Sequence, residues 1–466
     1  MDKFKVKFKE EIPKYVQIQN HFKILIEKGK IEDGERLPSI RVLSEYLGVN
    51  KDTIINCYNK LREEGYATQK VGSGTYAKRR EQVPLFKREY SNTLKVLNSK
   101  NNLEYIDFVG EGTLEKLFPI DNFKNVLNEV LDRDGASAFI YRESLGYEGL
   151  RRSISREFGK GQYDYEDILI VSGAQQGIDV VSKAIINQKD NVVVEKPTYS
   201  GALSVFNFRR ANIIDIPLEE DGINLELFEK FLMKNKIKCF YTMSCFQNPS
   251  GVTYSIEKKK RILQLAEIYD FFILEDDYLS ELVYNNIKYE SLKSLDKNGR
   301  VIYIKSFSKI FLPGIRLGYL VIPPKIRESV INFKVNTDIS TSSLMQRALD
   351  VYMQKGYWKE HMDRLRNSYK VSYDTIVSIL DNEFTNEVSF FEPKGGLNIY
   401  LTLNVPITSV ELFYKCKNRK LIITPGVFFY KDYREGLNHF KLGFSNVDYG
   451  QIREGMTILK EVLQGI

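Results

Sequence analysis

The sequence predicts a multidomain chain: a small N-terminal helical unit closed by a β-hairpin, a polar linker, and a large α/β body. Three observations predict it. Residues 13–77 carry apolar positions at helical spacing, cut by Pro and Gly signals, and end on a short alternating stretch around Gly72-Ser73-Gly74. Residues 78–105 are charged and lose periodicity. From 106 onward, short apolar runs (DILIVSG, NVVVEKP, KCFYTMS, FFILEDD, RVIYIKS, GYLVIP) alternate with amphipathic helical stretches. That alternation predicts a mostly parallel sheet covered by helices. The expected boundaries are 10–78, 79–105 and 106–466, with a sheet part at about 130–340 and a smaller C-terminal part at about 345–466.

The N-terminal unit reads in order. PKYVQIQNHFKILIEKGKI places Val16, Ile18, Phe22, Leu25 and Ile26 on one helical face. LPSIRVLSEYLGV starts at Pro38-Ser39 and stops at Gly48, and NKDTIINCYNKLREEGY follows at once with Asn50 as candidate N-cap. Two short helices joined by a Gly-containing turn, followed by a hairpin wing, predict a winged helix-turn-helix. In that geometry the second helix enters the major groove of double-stranded DNA. The candidate contacts are Ser39, Arg41, Lys51, Thr53, and the wing glycines Gly72 and Gly74, which let backbone approach the duplex.

Charge agrees with a polyanion partner. Residues 1–80 hold 17 Lys+Arg against 11 Asp+Glu, a net of 17 − 11 = +6, out of +7 for the whole chain. The linker residues Lys78, Arg79 and Arg80 either extend that contact or form a solvated tether. Hydrophobic residues at 43% and charged residues at 28% are those of a globular protein. No apolar run is long enough to span a bilayer, and the charged start has no signal-peptide core. The expectation is a cytoplasmic protein without membrane contact. Cys57, Cys239, Cys245 and Cys416 form no CxxC pair and histidines number three, so buried thiols and no metal site are expected.

In the body, unusual residues collect after the strand-like runs, where open α/β sheets bind ligands. A small-residue turn, 172-SGAQQGID, opens a helix and offers backbone N–H groups to an anion. EKPTY brings Tyr199, FQNPSG brings Asn248, and ILEDDY brings Asp276 and Tyr278. SFSKIFLPGIRLGY brings Ser306, Lys309 and Arg316. Each has an ordinary reading singly: a solvent-facing lysine, a turn, a helix cap. Together they supply a lysine amine, an acid, ring donors and an anion site, which are the needs of pyridoxal phosphate.

The N-terminal string, from LPSIRVLSEYLGVNKDTIINCYNKLREEGY to VGSGTY, resembles the winged helix of GntR-type regulators. The body resembles fold-type I aminotransferases, with Asp276 and Lys309 separated by 309 − 276 = 33 residues. Further agreement lies in IDFVGEG, LFP, HMDRLRNSY, PKGGLNIYL and TPGVFF. The fusion resembles the MocR subfamily, of which GabR and PdxR are types. The resemblance implies that Lys309 forms the Schiff base with pyridoxal 5'-phosphate. It implies that Asp276 pairs with the pyridine nitrogen and that Asn248 and Tyr278 bind the ring hydroxyl. Tyr199 would stack on the ring, and Ser306, Arg316 and the backbone of Ala174 and Gln175 would hold the phosphate. Tyr141 in YRESLG matches a tyrosine that reaches the partner's phosphate, which implies a homodimer.

Three features depart from the pattern. Lys51 stands where the regulators often carry arginine, keeping phosphate attraction but losing the two-pronged contact to guanine. Lys441, in HFKLGFSN, stands where aminotransferases grip the substrate carboxylate with arginine, and TYSGALSVF lacks an arginine that some amino-acid-sensing members carry. Either Lys441 still binds an effector carboxylate, or the ligand is an amine, a dipeptide or pyridoxal phosphate itself. The expected function is a regulator that senses pyridoxal phosphate, an amino acid or an amine; the alternative is a working aminotransferase with a DNA-binding arm.

Overall fold

The structure is a computed structural model. It describes all residues except 7, 11, 28, 71–72, 79–81, 100–104, 111, 141–142, 160–161, 285–288 and 466, and only the backbone at 27, 82–85 and 98–99.

Three helices form the N-terminal unit: α1 Lys14–Glu27, α2 Ile40–Leu47 and α3 Lys51–Glu63. Ile18, Phe22 and Ile26 of α1 are buried against Leu43 of α2 and Ile54, Cys57 and Leu61 of α3. The start and stop signals act as read: the Ser39 hydroxyl accepts from the Val42 amide, and Gly48 ends α2 in the left-handed region at φ 63°. Asn50 occupies the cap position of α3, but its side chain makes no cap bond. Strands β1 Ala67–Lys70 and β2 Gly74–Ala77 pair antiparallel to form the wing.

The stretch read as a linker is a helix, α4 Gln82–Ser99. Phe86 and Tyr90 are buried on the body, and Leu94 and Leu97 pack beside them. The expected lack of periodicity is corrected over this span: the segment that joins the two units is helical and lies on the body. Apolar residues recur there at i, i+4, i+8 and i+11, and Pro84 falls in the first turn, where its missing N–H costs no hydrogen bond.

The body opens with β3 Ile106–Asp107, followed by eight strands of one sheet. These are β4 Ile168–Val171, β5 Asn191–Lys196, β6 Asn212–Glu219, β7 Gly222–Ile223, β8 Cys239–Thr242, β9 Phe272–Asp277, β10 Val301–Ser306 and β11 Gly318–Val321. Their order is β4-β11-β10-β9-β8-β5-β6-β7. Pairing is parallel from β6 through β10, and β11 runs antiparallel to both β10 and β4. Alternation sends Val192 and Val194 to one face of the sheet and Val193 to the other, so both faces are apolar and helix-covered.

A second sheet contains β12 Val388–Phe390, β13 Asn398–Leu403, β15 Thr424–Pro425 and β16 His439–Gly443, all antiparallel. The short strand β14 Leu421–Ile422 pairs with β3. Residues just past α4 therefore belong with the C-terminal part, although they lie outside its expected bounds of 345–466. Gly110 and Gly443 make that junction close: a Cβ on Gly110 would sit 2.8 Å from the Gly443 Cα. All four cysteines are free and buried. Among the described residues, no helix is long and apolar enough to cross a membrane and no cluster of His, Cys, Asp and Glu suits a metal ion.

Candidate functional site

A cavity of about 260 Å³ opens at the carboxyl ends of β4, β8, β9 and β10. It gathers Ala174, Gln175, Tyr199, Asn248, Asp276, Tyr278, Ser306, Lys309, Arg316 and Lys441, so the sequence candidates of the body meet in one place. Tyr141 and Gly72 lie outside the described residues.

Strand alternation selects one acid from Glu275-Asp276-Asp277. Asp276 shares the face of Phe272 and Leu274 and reaches the cavity. Its Oδ2 accepts from the Tyr241 hydroxyl at 2.8 Å, while Oδ1 is buried without a partner. Burial pushes this carboxyl up to about 7, against the opposing pull of the Tyr241 bond. Glu275 and Asp277 point the other way and are satisfied there. The amides of Leu292 and Lys293 donate to Glu275 at 2.8 Å each, and the Tyr303 hydroxyl donates to Asp277 at 2.6 Å.

The anion cradle follows from the reversed strand. Because β11 is antiparallel, its first residue Gly318 lies beside Ser306 of β10 and Val171 of β4. The loop before it thus carries Arg316 under the helix Ala174–Ile185. Arg316 takes a left-handed backbone at φ 51° and donates to the Ser172 carbonyl at 2.9 Å. Gly173 precedes that helix at φ 95°, and a Cβ there would meet the Arg316 guanidinium at 3.0 Å. Uncapped N–H groups, the helix dipole and a cation converge on one cradle. Ser306 borders it, its hydroxyl accepting from the Ser308 amide at 3.2 Å.

Lys309 lines the cavity and donates to the Gly110 carbonyl at 2.8 Å. Tyr199 donates to the Gln175 side chain at 3.4 Å. Asn248 is buried with its Oδ1 unpartnered. Tyr278 accepts from Asn398 Nδ2 at 2.8 Å. Lys441, only 3% exposed, stands on β16 with its ammonium 5.5 Å from the Phe429 ring centroid.

These features fit pyridoxal phosphate. The orphaned Asp276 oxygen awaits a donor such as a protonated ring nitrogen, the Asn248 amide on the cavity wall can offer its N–H to a ring oxygen, and Gly173 keeps the space beside the Arg316 guanidinium open for an anion. Sequence reading missed Ser308, Asn398 and Gly110 on the wall, and Tyr241 behind Asp276. It also missed Lys305, fully buried four residues before Lys309. Lys305 pairs with Asp277 at 3.2 Å and Glu281 at 2.7 Å, and those carboxylates hold its ammonium protonated against burial. Only PKGGLNIYL, already matched as a motif, could have pointed to Asn398.

On the N-terminal unit, Lys51, Asp52, Ile55 and Asn56 form one exposed face of α3. Lys51 and Thr53 sit in its first turn as expected, and Ile55 and Asn56 are additions to that face. Arg41 is exposed and pairs with Glu45 at 3.0 Å. Ser39 spends its hydroxyl on the helix cap. Gly74 opens β2 at φ 118°, where a Cβ would approach Arg36 to 3.2 Å.

Residues 111–459 match the model of the aminotransferase class I and II family, and residues 14–77 match that of the gntR family of bacterial regulatory proteins. The chain is 31% identical to aromatic-amino-acid aminotransferase 1 of Thermococcus litoralis, over 80% of this chain and 91% of that one. It is 25% identical to the probable rhizopine catabolism regulatory protein MocR of Rhizobium meliloti, over 97% and 94%. Among solved structures it resembles LysN, the alpha-aminoadipate aminotransferase of Thermus thermophilus complexed with N-(5'-phosphopyridoxyl)-L-leucine. That likeness has a TM-score of 0.74 at 27% identity and covers 80% of this chain and 94% of that one. The chain belongs to the aminotransferase class I and II family, as a pyridoxal-phosphate body joined to a GntR-type winged-helix DNA-binding domain in the MocR arrangement.

Proposed function

We propose that the protein is a cytoplasmic transcription regulator whose body holds pyridoxal phosphate and answers an effector of the amino-acid or amine class. The observation that carries this reading is the union, in one chain, of a winged helix with an exposed α3 face and a cavity furnished for the cofactor. When bound, the cofactor supplies a carbonyl reactive toward amines and an electron-withdrawing ring.

The chain's own residues then have distinct tasks. Lys309 provides the amine that holds the cofactor. Asp276 Oδ1 would accept a hydrogen bond from the protonated ring nitrogen, and Tyr241 keeps that carboxyl in place. Asn248 and Tyr278 would donate to the ring oxygen, and Tyr199 would stack on the ring. Arg316, Ser306 and the N–H groups of Ala174 and Gln175 hold the phosphate. Lys441 meets an effector carboxylate as a point charge. On the winged helix, Lys51, Thr53, Arg41 and the Gly74 turn face the duplex, with Ser39 ordering the start of α2. Two such chains form a homodimer, in which paired winged helices read two half-sites.

A working aminotransferase is the second reading, favoured by a cavity that holds both the lysine and its supporting acid. A steady-state assay across amino acids with a keto-acid acceptor, run beside a DNA-binding titration, separates the two. Sustained turnover at about 1 per second or faster, without an effect of amino acid on DNA binding, would overturn the regulator reading. Turnover far below that rate with ligand-dependent DNA binding supports it.

A further inference from the structure

The cofactor cavity has a side chamber, and one wall of it is α4. A second hollow of about 150 Å³ lies against the first and shares Tyr199, Asn248 and Lys441 with it. Tyr90 and Leu94 of α4 close one side, and Phe428 and Phe429 close another. A space of about 150 Å³ is the size that takes a benzene ring. A cation at the junction and aromatic walls beyond it suit a carboxylate followed by an apolar group of ring size.

The same helix joins the body to the DNA-binding unit, and it is fastened beside the chamber. Tyr90 lies 4.6 Å from Phe428, centroid to centroid, and shares a hydrogen bond with Thr424 at 3.1 Å. Thr424 is the register partner of Lys441 across β15 and β16. Phe86 packs edge-on against Phe413 at 5.3 Å, and Lys417 donates to Thr93 at 2.9 Å. A ligand group entering the chamber therefore touches the segment that carries the winged helix, and can favour one seating of α4 over another.

We propose that this chamber receives the side chain of an aromatic or large aliphatic α-amino acid, with its carboxylate at Lys441, and that α4 passes its occupancy to the DNA-binding unit. The inference rests on the regulator reading above and adds the effector class and the coupling element.

The test uses the full-length, cofactor-loaded protein with L-phenylalanine and L-alanine as probes. Amino-acid affinity is read from the change in cofactor absorbance, and DNA affinity is read in parallel. Wild type is expected to bind L-phenylalanine at least tenfold tighter than L-alanine. L-Phenylalanine, and not L-alanine, is expected to shift DNA affinity at least fivefold. Leu94→Trp fills the chamber and is expected to lower L-phenylalanine affinity at least tenfold while L-alanine affinity stays within twofold. Leu94→Ala enlarges it and is expected to move the preference toward L-tryptophan, which decides the matter if the tryptophan variant loses its cofactor absorbance. Equal affinities for both probes in wild type, or an unchanged preference in the Leu94 variants, overturn the inference. Cofactor absorbance and DNA binding without amino acid report on the regulator reading separately, so failure of one is not mistaken for failure of the other.

Discussion

Tyr241 donates its hydroxyl hydrogen to Oδ2 of Asp276 at 2.8 Å and leaves Oδ1 buried without a partner. The pair fixes a carboxyl that burial raises from its usual 3.8 up to about 7. In the cofactor-free protein, the folded state keeps a proton on Asp276 that the unfolded chain has lost. This contribution to stability is whole below the unfolded value and declines as pH rises through the folded one. Between pH 5 and pH 8, cofactor-free wild type is expected to lose about 2–3 kcal/mol relative to Asp276→Asn. Urea unfolding followed at Trp358, the sole tryptophan and a buried residue of the body, measures it. Parallel pH profiles for the two proteins would refute the assignment.

Gly173 borders the cradle where a side chain has no room. Its φ of 95° and the 3.0 Å approach to Arg316 make Gly173→Ala both strained and obstructive. That variant is expected to weaken cofactor binding by roughly tenfold or more, for a cost of about 1–3 kcal/mol. Arg316→Ala should weaken it at least as much by removing the cation of the cradle. Equilibrium titration with pyridoxal phosphate checks both, and unchanged affinity in either would remove the cradle from the cofactor site.

Lys305 is expected to matter for folding rather than for chemistry. Lys305→Met would leave Asp277 and Glu281 buried and unpaired, at a cost of roughly 3–5 kcal/mol. The thermal transition of Trp358 fluorescence should fall accordingly, and replacing the two carboxylates as well should restore part of it. A transition within error of wild type would show the ion cluster to be dispensable.

Lys51 begins the exposed face of α3. If it neutralises one phosphate, Lys51→Ala should weaken binding to all duplex sequences alike and reduce the slope of log affinity against log salt by about 1. Loss confined to particular base sequences would instead assign it a base contact.

Much of this architecture was legible because each motif couples a strand end to a turn. DILIV-SGAQQG, ILEDDY and VIYIKSFSK each announce a buried run and then a break, and the parallel sheet brings those breaks together. Ser39 and Gly48 were legible because cap chemistry is local. The α4 helix was not, because the four apolar positions that recur at helical spacing stand among polar and charged residues and Pro84 reads as a breaker until its place in the first turn is known. Lys305 stayed hidden because its partners, Asp277 at the end of β9 and Glu281 just past it, reach it only across the sheet. The side chamber was hidden for the same reason: Leu94, Phe428 and Lys441 are far apart in sequence and meet only after α4 docks.

The most direct measurement is the affinity of the full-length protein for a duplex selected from random DNA, with and without pyridoxal phosphate and an amino-acid panel, beside Lys309→Ala. If the body is a sensor, at least one ligand combination shifts wild-type affinity fivefold or more, which is a coupling of about 1 kcal/mol or greater. Lys309→Ala then loses that shift while still binding DNA. Wild-type affinity that ignores every ligand, or a shift of equal size in Lys309→Ala, would contradict a regulator governed through the cofactor site.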